Sequence, residues 1–253
     1  MKKKSSLLLG VVLLFQTSSA RSAVFTFDTS LLNGLTQDSV DSLIGFLALG
    51  GDHRSMRPAS SLGGFPGFEL GVSVVGLNLP TNFSTALALL GGTSTASSIL
   101  PLPKLYIAKG LGFGIDLGFS YFSLSSLGSF YGLDVQWAFI EGKGPSVAAR
   151  YSLSYSTLSI FQARSHAIDV VASYPLFLIE PYVGAGFIYA SGEVGFDSGE
   201  LPVNLSASST FAVPRFFAGL PLQLGFFHIT FETMFGFSSN APTTYGLKAA
   251  LNF

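Results

Sequence analysis

Hydrophobic and small or polar residues alternate along much of this 253-residue chain. The clearest stretch is residues 113–122, FGIDLGFSYF, where Phe, Ile, Leu, Phe and Tyr take every second position and Gly, Asp, Gly and Ser lie between them. Side chains of a β-strand point alternately to its two faces, so this stretch predicts a strand with one apolar face. Its length suits a tilted membrane strand, which needs about 9–11 residues.

The alternation recurs and predicts about ten strands, with eight to twelve compatible with the pattern. The predicted strands are residues 68–74, 104–109, 113–122, 131–139, 147–155, 168–174, 180–189, 210–220, 227–235 and 244–253. An even number of strands puts the first and last strand termini on the same side of the membrane, which is also the side of the short turns. Those turns are expected at Gly110 and at residues 142–144 and 175–178, with longer connections opposite them at 80–102, 157–163, 190–209 and 236–242. The predicted fold class is all-β, an antiparallel transmembrane β-barrel over residues 64–253.

The region before the barrel has a helical pattern instead. Val40, Leu43, Ile44 and Leu47 recur at helical spacing, which predicts a short amphipathic helix over residues 36–49. Two interpretations of this helix remain open: it rests on the periplasmic rim or is disordered, or it is lodged as a plug in the barrel mouth.

The first residues predict export. Lysines at 2–4, an apolar run over 7–15 and small residues at 18–20 are typical of a signal peptide, here residues 1–20. The mature chain would then begin with an N-terminal periplasmic segment, residues 21–63.

Composition agrees with a membrane barrel. Charged residues make up 11% of the chain, against roughly a quarter in ordinary soluble domains, and aromatic residues 14%. A soluble shell is hard to build from so few charges. After signal removal acidic residues exceed basic ones, so no basic surface indicates nucleic acid as a partner. The chain has no cysteine, which excludes disulfides and thiolate metal sites.

The strand charges indicate which face is inside. They fall on the small-residue faces, and a charge facing lipid near the bilayer midplane costs about 2–4 kcal/mol. The apolar faces are therefore assigned to lipid and the polar faces to the lumen. The predicted lumen residues are Glu69, Lys104, Asp116, Asp134, Arg150, Asp169, Glu180, Arg215, Glu232 and Lys248. Unpaired buried ions are costly, so a structural salt-bridge network is expected, with a solute-selecting constriction as the alternative.

The signal peptide, the alternating strands and the last strand YGLKAALNF resemble bacterial outer-membrane β-barrel proteins. In that group a terminal strand of this kind is read by the barrel-assembly machinery, which the resemblance implies here for Tyr245, Leu247, Leu251 and Phe253. The resemblance also implies the outer membrane of a Gram-negative bacterium, with outer-membrane lipid and lipopolysaccharide as partners. The helix followed by GFELGVSV, and the segments PKLYIAKGLGFGIDLGFSYF, HAIDVVASYP and PYVGAGF, are similar to a family of small, uncharacterised outer-membrane barrels carrying a domain of unknown function.

No catalytic, metal or cofactor site is predicted. His166 lies three residues from Asp169, and residues three apart on a strand face opposite sides, so the two form no dyad without a bulge. The preferred interpretation is a non-enzymatic, monomeric barrel acting as a narrow or plugged passive channel for small molecules, including hydrophobic ones. The alternative is a non-transporting structural or surface-interaction barrel that makes contacts through loops 80–102 and 190–209. A barrel-embedded hydrolase or acyltransferase is the third candidate.

Overall fold

The computed structural model describes residues 51–78, 99–124, 128–158, 161–195, 206–237 and 243–253. Ten antiparallel strands close into one barrel, in which neighbours in the chain pair and β1 pairs with β10. The strands are β1 Phe68–Asn78, β2 Ile99–Gly112, β3 Ile115–Leu124, β4 Gly128–Ile140, β5 Ser146–Leu158, β6 Phe161–Ser173, β7 Tyr182–Gly195, β8 Ser206–Leu224, β9 Phe227–Gly236 and β10 Thr244–Asn252. The predicted ten-stranded barrel is confirmed. The predicted signal peptide and the helix over residues 36–49 lie outside the described residues.

Burial alternates along the strands. In β4, Tyr131, Leu133, Val135, Trp137 and Phe139 are between 43% and 54% exposed, whereas the positions between them are buried. The outward residues form an apolar wall, and the charged residues of the strands lie mostly inside. Within the described ranges no helix is long and apolar enough to cross a membrane. A closed, even-stranded barrel with an apolar exterior and a charged interior is the organisation of proteins of the Gram-negative outer membrane, and the chain is placed there.

An aromatic row marks one edge of the apolar wall. Tyr121, Tyr131 and Tyr155 occupy paired outward positions on β3, β4 and β5. Arg164 of β6 extends the row, with its guanidinium carbon 5.5 Å from the Tyr155 ring centroid. Tyrosine prefers the membrane–water boundary, so this row lies at the membrane surface on the side away from the chain termini of the barrel.

The turn between β2 and β3 corrects two predictions. β2 continues through Gly110 to Gly112, so the turn predicted at Gly110 is wrong, and Phe113 belongs to the turn rather than to a strand. Phe113 and Gly114 have φ of 55° and 75°, and positive φ at both central residues is what a two-residue type I′ hairpin turn requires. The apolar alternation continues through Phe113, which hid the turn.

Several strands are longer than predicted. β5 and β6 leave only residues 159–160 between them, β7 continues to Gly195, and β8 spans 19 residues. Glu180 precedes β7 rather than lying on it. Strand ends rich in Ser, Thr and Ala carry no apolar alternation, because they extend beyond the lipid into water. Hydrophobic pattern therefore marks the membrane-facing part of each strand and misses the rest.

Residues 51–62, hereafter the lumenal segment, run inside the barrel. A β-carbon on Gly51 would lie 3.4 Å from Cβ of Ser156, close to the ends of β4 and β5 that face away from the barrel termini. At its other end Ser61 donates its backbone N–H to Glu141, in the β4–β5 turn, at 2.7 Å. Barrel termini face the periplasm, so the chain passes through the lumen from the outer end to the periplasmic end before β1 begins. These residues, placed by the sequence in a periplasmic segment, lie within the barrel.

Candidate functional site in the barrel lumen

A row of inward positions crosses six neighbouring strands. Paired positions on β3 to β8 bring together Asp116, Gln136, Arg150, Asp169, Gly186 and Arg215. Arg215 donates from Nε and Nη2 to the two carboxylate oxygens of Asp169 at 2.8 and 2.6 Å. Arg150 donates from Nε and Nη2 to Oε1 of Gln136 at 3.0 and 2.6 Å. Strand register therefore aligns these partners within the wall.

All ten lumen residues named from the sequence are buried, none more than 6% exposed. They fall into separate groups rather than one continuous network. Glu69 accepts from Lys248 Nζ at 2.8 Å and lies 3.3 Å from His228 Nε2. Glu180 accepts from Ser173 at 2.7 Å and from Ser60 of the lumenal segment at 3.0 Å.

The lumenal segment supplies the charges that link these groups. Arg57 donates from Nη1 to Asp116 at 3.0 Å and from Nη2 to Asp134 at 3.1 Å. Arg54 donates from Nε and Nη2 to Glu232 Oε1 at 2.9 and 2.6 Å, and from Nη1 to Thr244.

Two further side chains of the segment are buried against the wall. Asp52 accepts from Arg215 Nη1. His53 lies between Asp134 and Ser120, with ring-nitrogen distances of 2.5 and 2.6 Å. The segment is thus tied to the wall by its own acids and bases.

Wall side chains also satisfy the backbone of the segment. Lys104 Nζ donates to the carbonyls of Gly51 and Asp52 at 3.1 and 2.6 Å. Lys248 donates to the carbonyl of Ser55 at 2.7 Å, and Arg150 to that of Arg57 at 2.8 Å. Buried backbone groups require partners, and here side chains take the place of a neighbouring strand. Three wall cations therefore bind carbonyls of the segment, while Asp116, Asp134 and Glu232 bind its arginines.

The wall is shaped around the lumenal segment. A β-carbon on Gly132 would meet His53, and one on Gly246 would meet the end of Met56. Met56 packs in an apolar cluster with Val75, Leu77 and Leu102. Glycine and short apolar side chains thus provide the room that the segment fills.

A small void lies beside the segment among the described residues. A void of about 10 Å³ lies among residues that include His53, Arg54, Arg150 and Glu232, which is about the space of one water molecule. A larger hollow of about 690 Å³ lies outside, lined mostly by apolar and small residues of β6 to β10, including Val183, Leu220 and Phe231. Bilayer acyl chains are expected to fill that outer hollow.

Ser120, His53 and Asp134 have the connectivity of a Ser–His–Asp triad. The nitrogens are exchanged relative to the serine-hydrolase arrangement, because Nδ1 faces the serine and Nε2 the carboxylate. Asp134 also binds Arg57, and all three side chains are buried inside the barrel. His53 thereby joins the lumenal segment to β3 and β4.

The pair His166 and Asp169 shows the opposite-face geometry expected of a strand. His166 points outward, where Nδ1 lies 2.9 Å from the hydroxyl of Tyr151. Asp169 points inward to Arg215. The two do not form a dyad.

Sequence reasoning missed Asp52, His53, Arg54 and Arg57. Two signals pointed to them. The ten named lumen residues contain six acids and four bases, so the wall alone is unbalanced. The stretch DHRSMR, residues 52–57, holds four ionisable residues in six, in a chain with only 11% charged residues.

No family model matches the chain, so the narrower resemblance to small barrels with a domain of unknown function stays a prediction, and no curated protein matches either. Among solved structures, the chain is similar to the N-terminal β-barrel domain of OprF from Pseudomonas aeruginosa, at 13% identity over 73% of this chain and 97% of that one, with a TM-score of 0.34. It is similar to Ail, the attachment invasion locus protein of Yersinia pestis, at 10% identity over 74% and 96%, with a TM-score of 0.33. It is also similar to the outer membrane protease OmpT from Escherichia coli, at 9% identity over 73% and 93%, with a TM-score of 0.40.

Proposed function

We propose that the protein is a non-transporting outer-membrane barrel, whose lumen is closed by its own N-terminal residues and which serves as a membrane anchor for contacts at the cell surface. The observation that carries this proposal is the lumenal segment, whose ionisable side chains and several of whose backbone groups bind the barrel wall. A hydrated pore needs a continuous water path, and the void found beside the segment among the described residues holds about one water molecule.

A passive channel opened by withdrawal of the lumenal segment is the second candidate. Its support is the polar character of the contacts. When the segment withdraws, water can hydrogen-bond to Asp116, Glu232 and Gln136 in its place. Withdrawal of an apolar plug would instead leave an apolar cavity that water does not fill readily. Because the wall is charged, the solutes favoured on this account are polar or ionic rather than hydrophobic.

A reversible tether separates the two candidates. The chain lacks cysteine, so Gly51→Cys with Ser156→Cys introduces a single thiol pair. The Cβ separation at this pair, 3.4 Å, is close to the 3.5–4.5 Å of disulfides. Oxidation would fix the outer end of the lumenal segment to β5, and Ser156→Cys alone is the matched control.

The readout is conductance of the mature, full-length protein in planar bilayers. The sealed barrel predicts no conductance in the wild-type protein and no change on oxidising or reducing the double variant. The channel predicts conductance in the wild-type protein and in the reduced double variant, lost on oxidation and restored by reductant. Conductance that persists in the oxidised double variant would contradict both, because ions would then pass a tethered segment.

A further inference from the structure

Five of the wall carboxylates in the lumen form ion pairs, and they divide into two classes by the origin of their cations. Glu69 and Asp169 pair with cations of the wall itself, Lys248 and Arg215. Asp116, Asp134 and Glu232 differ: each ion pair that the described residues give them is with the lumenal segment. Their arginine partners are Arg57 and Arg54, and Asp134 also contacts the ring of His53.

The second class is arranged for guanidinium in particular. The two terminal nitrogens of Arg57 reach separate carboxylates, Asp116 at 3.0 Å and Asp134 at 3.1 Å. Arg54 directs Nε and Nη2 at one oxygen of Glu232 and its third nitrogen at Thr244. A planar, permanently charged fork of donors matches such acceptors, whereas an ammonium is a compact point charge.

The site is enclosed as well as charged. Arg57 is 2% exposed, and Asp116 and Asp134 are 0% and 3% exposed. Charge-assisted hydrogen bonds are stronger where water is excluded, and a buried carboxylate that loses its cation is costly. Removal of Arg57 therefore leaves two buried carboxylates that a cation of the same shape should bind strongly.

We propose that the lumen wall is a binding site for small guanidinium-bearing cations, and that the lumenal segment is its built-in occupant. Asp116 and Asp134 form one half of the site, and Glu232 with Thr244 forms the other. Its use by an external solute rests on the second candidate function, withdrawal of the segment. In that state the wall retains more acids than bases, so anions are disfavoured.

Chemical rescue tests the site directly. Arg57→Ala removes the guanidinium and leaves Asp116 and Asp134 in place, and the probe is ethylguanidinium chloride at low millimolar concentration. The full mature chain is folded into detergent with and without the probe, and the midpoint of thermal unfolding is measured. The variant should melt below the wild-type protein, and the probe should restore most of the difference in a saturable way, because a ligand that binds only the folded state stabilises it with the logarithm of its concentration.

Controls fix the chemistry. Ethylammonium and sodium chloride at equal ionic strength should restore little, and the probe should leave the wild-type midpoint unchanged. Adding Asp134→Asn to Arg57→Ala should abolish the rescue. Equal rescue by ethylammonium, or an equal shift in the wild-type protein, would overturn the proposal.

A variant that folds poorly is still informative, because assembly itself becomes the readout. If Arg57→Ala assembles only in the presence of ethylguanidinium, the site is supported. Arg54→Ala, which exposes Glu232 to the same probe, repeats the test at the other half. If ethylguanidinium improves neither the assembly nor the thermal midpoint of either variant, the proposal is wrong.

The rescue experiment tests the guanidinium site and the tether experiment tests the channel, so either proposal can fail without the other. Rescue without any tether-sensitive conductance keeps the guanidinium site and removes the channel. A tether-sensitive conductance without rescue keeps the channel and removes the site.

Discussion

Gly132 and His53 approach so closely that no side chain fits between them. A β-carbon on Gly132 would lie 2.5 Å from both Cβ and Nδ1 of His53, well inside van der Waals contact. His53 cannot easily move aside, because Asp134 and Ser120 hold both ring nitrogens. Glycine is thus required here for close approach of the segment to β4 rather than for an unusual backbone angle.

Gly132→Val should push the lumenal segment out of position. Overpacking a buried site costs about 1–3 kcal/mol, and displacing His53 also breaks its hydrogen bonds. We expect a lower urea midpoint for unfolding in detergent. With Gly51→Cys as the only thiol, maleimide labelling should be faster in the Gly132→Val background than in its absence.

Gly142→Val is the matched control. Gly142 lies in the turn after β4, and a β-carbon there would meet no atom within 4 Å. The urea midpoint and the labelling rate should stay at their reference values. If both valine variants lowered the urea midpoint and raised the labelling rate equally, the contact of Gly132 with the lumenal segment would not be the cause.

The strands were predictable because the membrane imposes a period of two on each of them. Val135 and Asp134 can be assigned to lipid and lumen from sequence alone, since an inverted assignment would put a carboxylate in hydrocarbon. The partner of Asp134 was not predictable. Periodicity gives the face of a strand and says nothing about what lies across the lumen.

The lumenal segment escaped prediction for a related reason. Residues 51–62 follow neither a helical nor an alternating pattern, because every side chain from Asp52 to Arg57 is buried against a different part of the wall. A hydrophobic pattern detects strands and helices that have one face exposed to water or to lipid. A segment surrounded by the barrel wall has no such face, and only the charge count indicates it.

Val135→Arg should block membrane assembly. Val135 is 43% exposed and pairs with Leu117 and Tyr151, and the same outward row continues to Ile168 and Phe187. An arginine near the bilayer midplane costs about 2–4 kcal/mol. The measurement is the fraction of heat-modifiable, folded protein on a gel after insertion into vesicles. Val135→Leu should insert as the wild-type protein does, and efficient insertion of Val135→Arg would contradict the assignment of this face to lipid.

Gly114→Ala should destabilise the β2–β3 hairpin. Gly114 has φ of 75°, and an added β-carbon would collide with the backbone carbonyl of Ala138 on β4. Backbone strain of this kind costs about 1–3 kcal/mol. The expected result is a lower urea midpoint, measured beside Gly144→Ala, for which a β-carbon meets nothing within 4 Å. An unchanged midpoint for Gly114→Ala would mean that the turn has another geometry.

Ser120 should behave as a structural hydroxyl rather than as a nucleophile. Its Oγ lies 2.6 Å from His53 in a buried site, and a fluorophosphonate probe has no path to it, so the folded protein should remain unlabelled. Ser120→Ala should cost about 0.5–1.5 kcal/mol through the lost hydrogen bond. Ser165→Ala provides the comparison, because Ser165 Oγ is equally buried but has no hydrogen-bond partner among the described residues, and its loss should be neutral or stabilising. Labelling of the folded protein that disappears in Ser120→Ala would show instead that the lumenal segment opens to admit substrate, and the Ser120, His53 and Asp134 arrangement would then have to be considered catalytic.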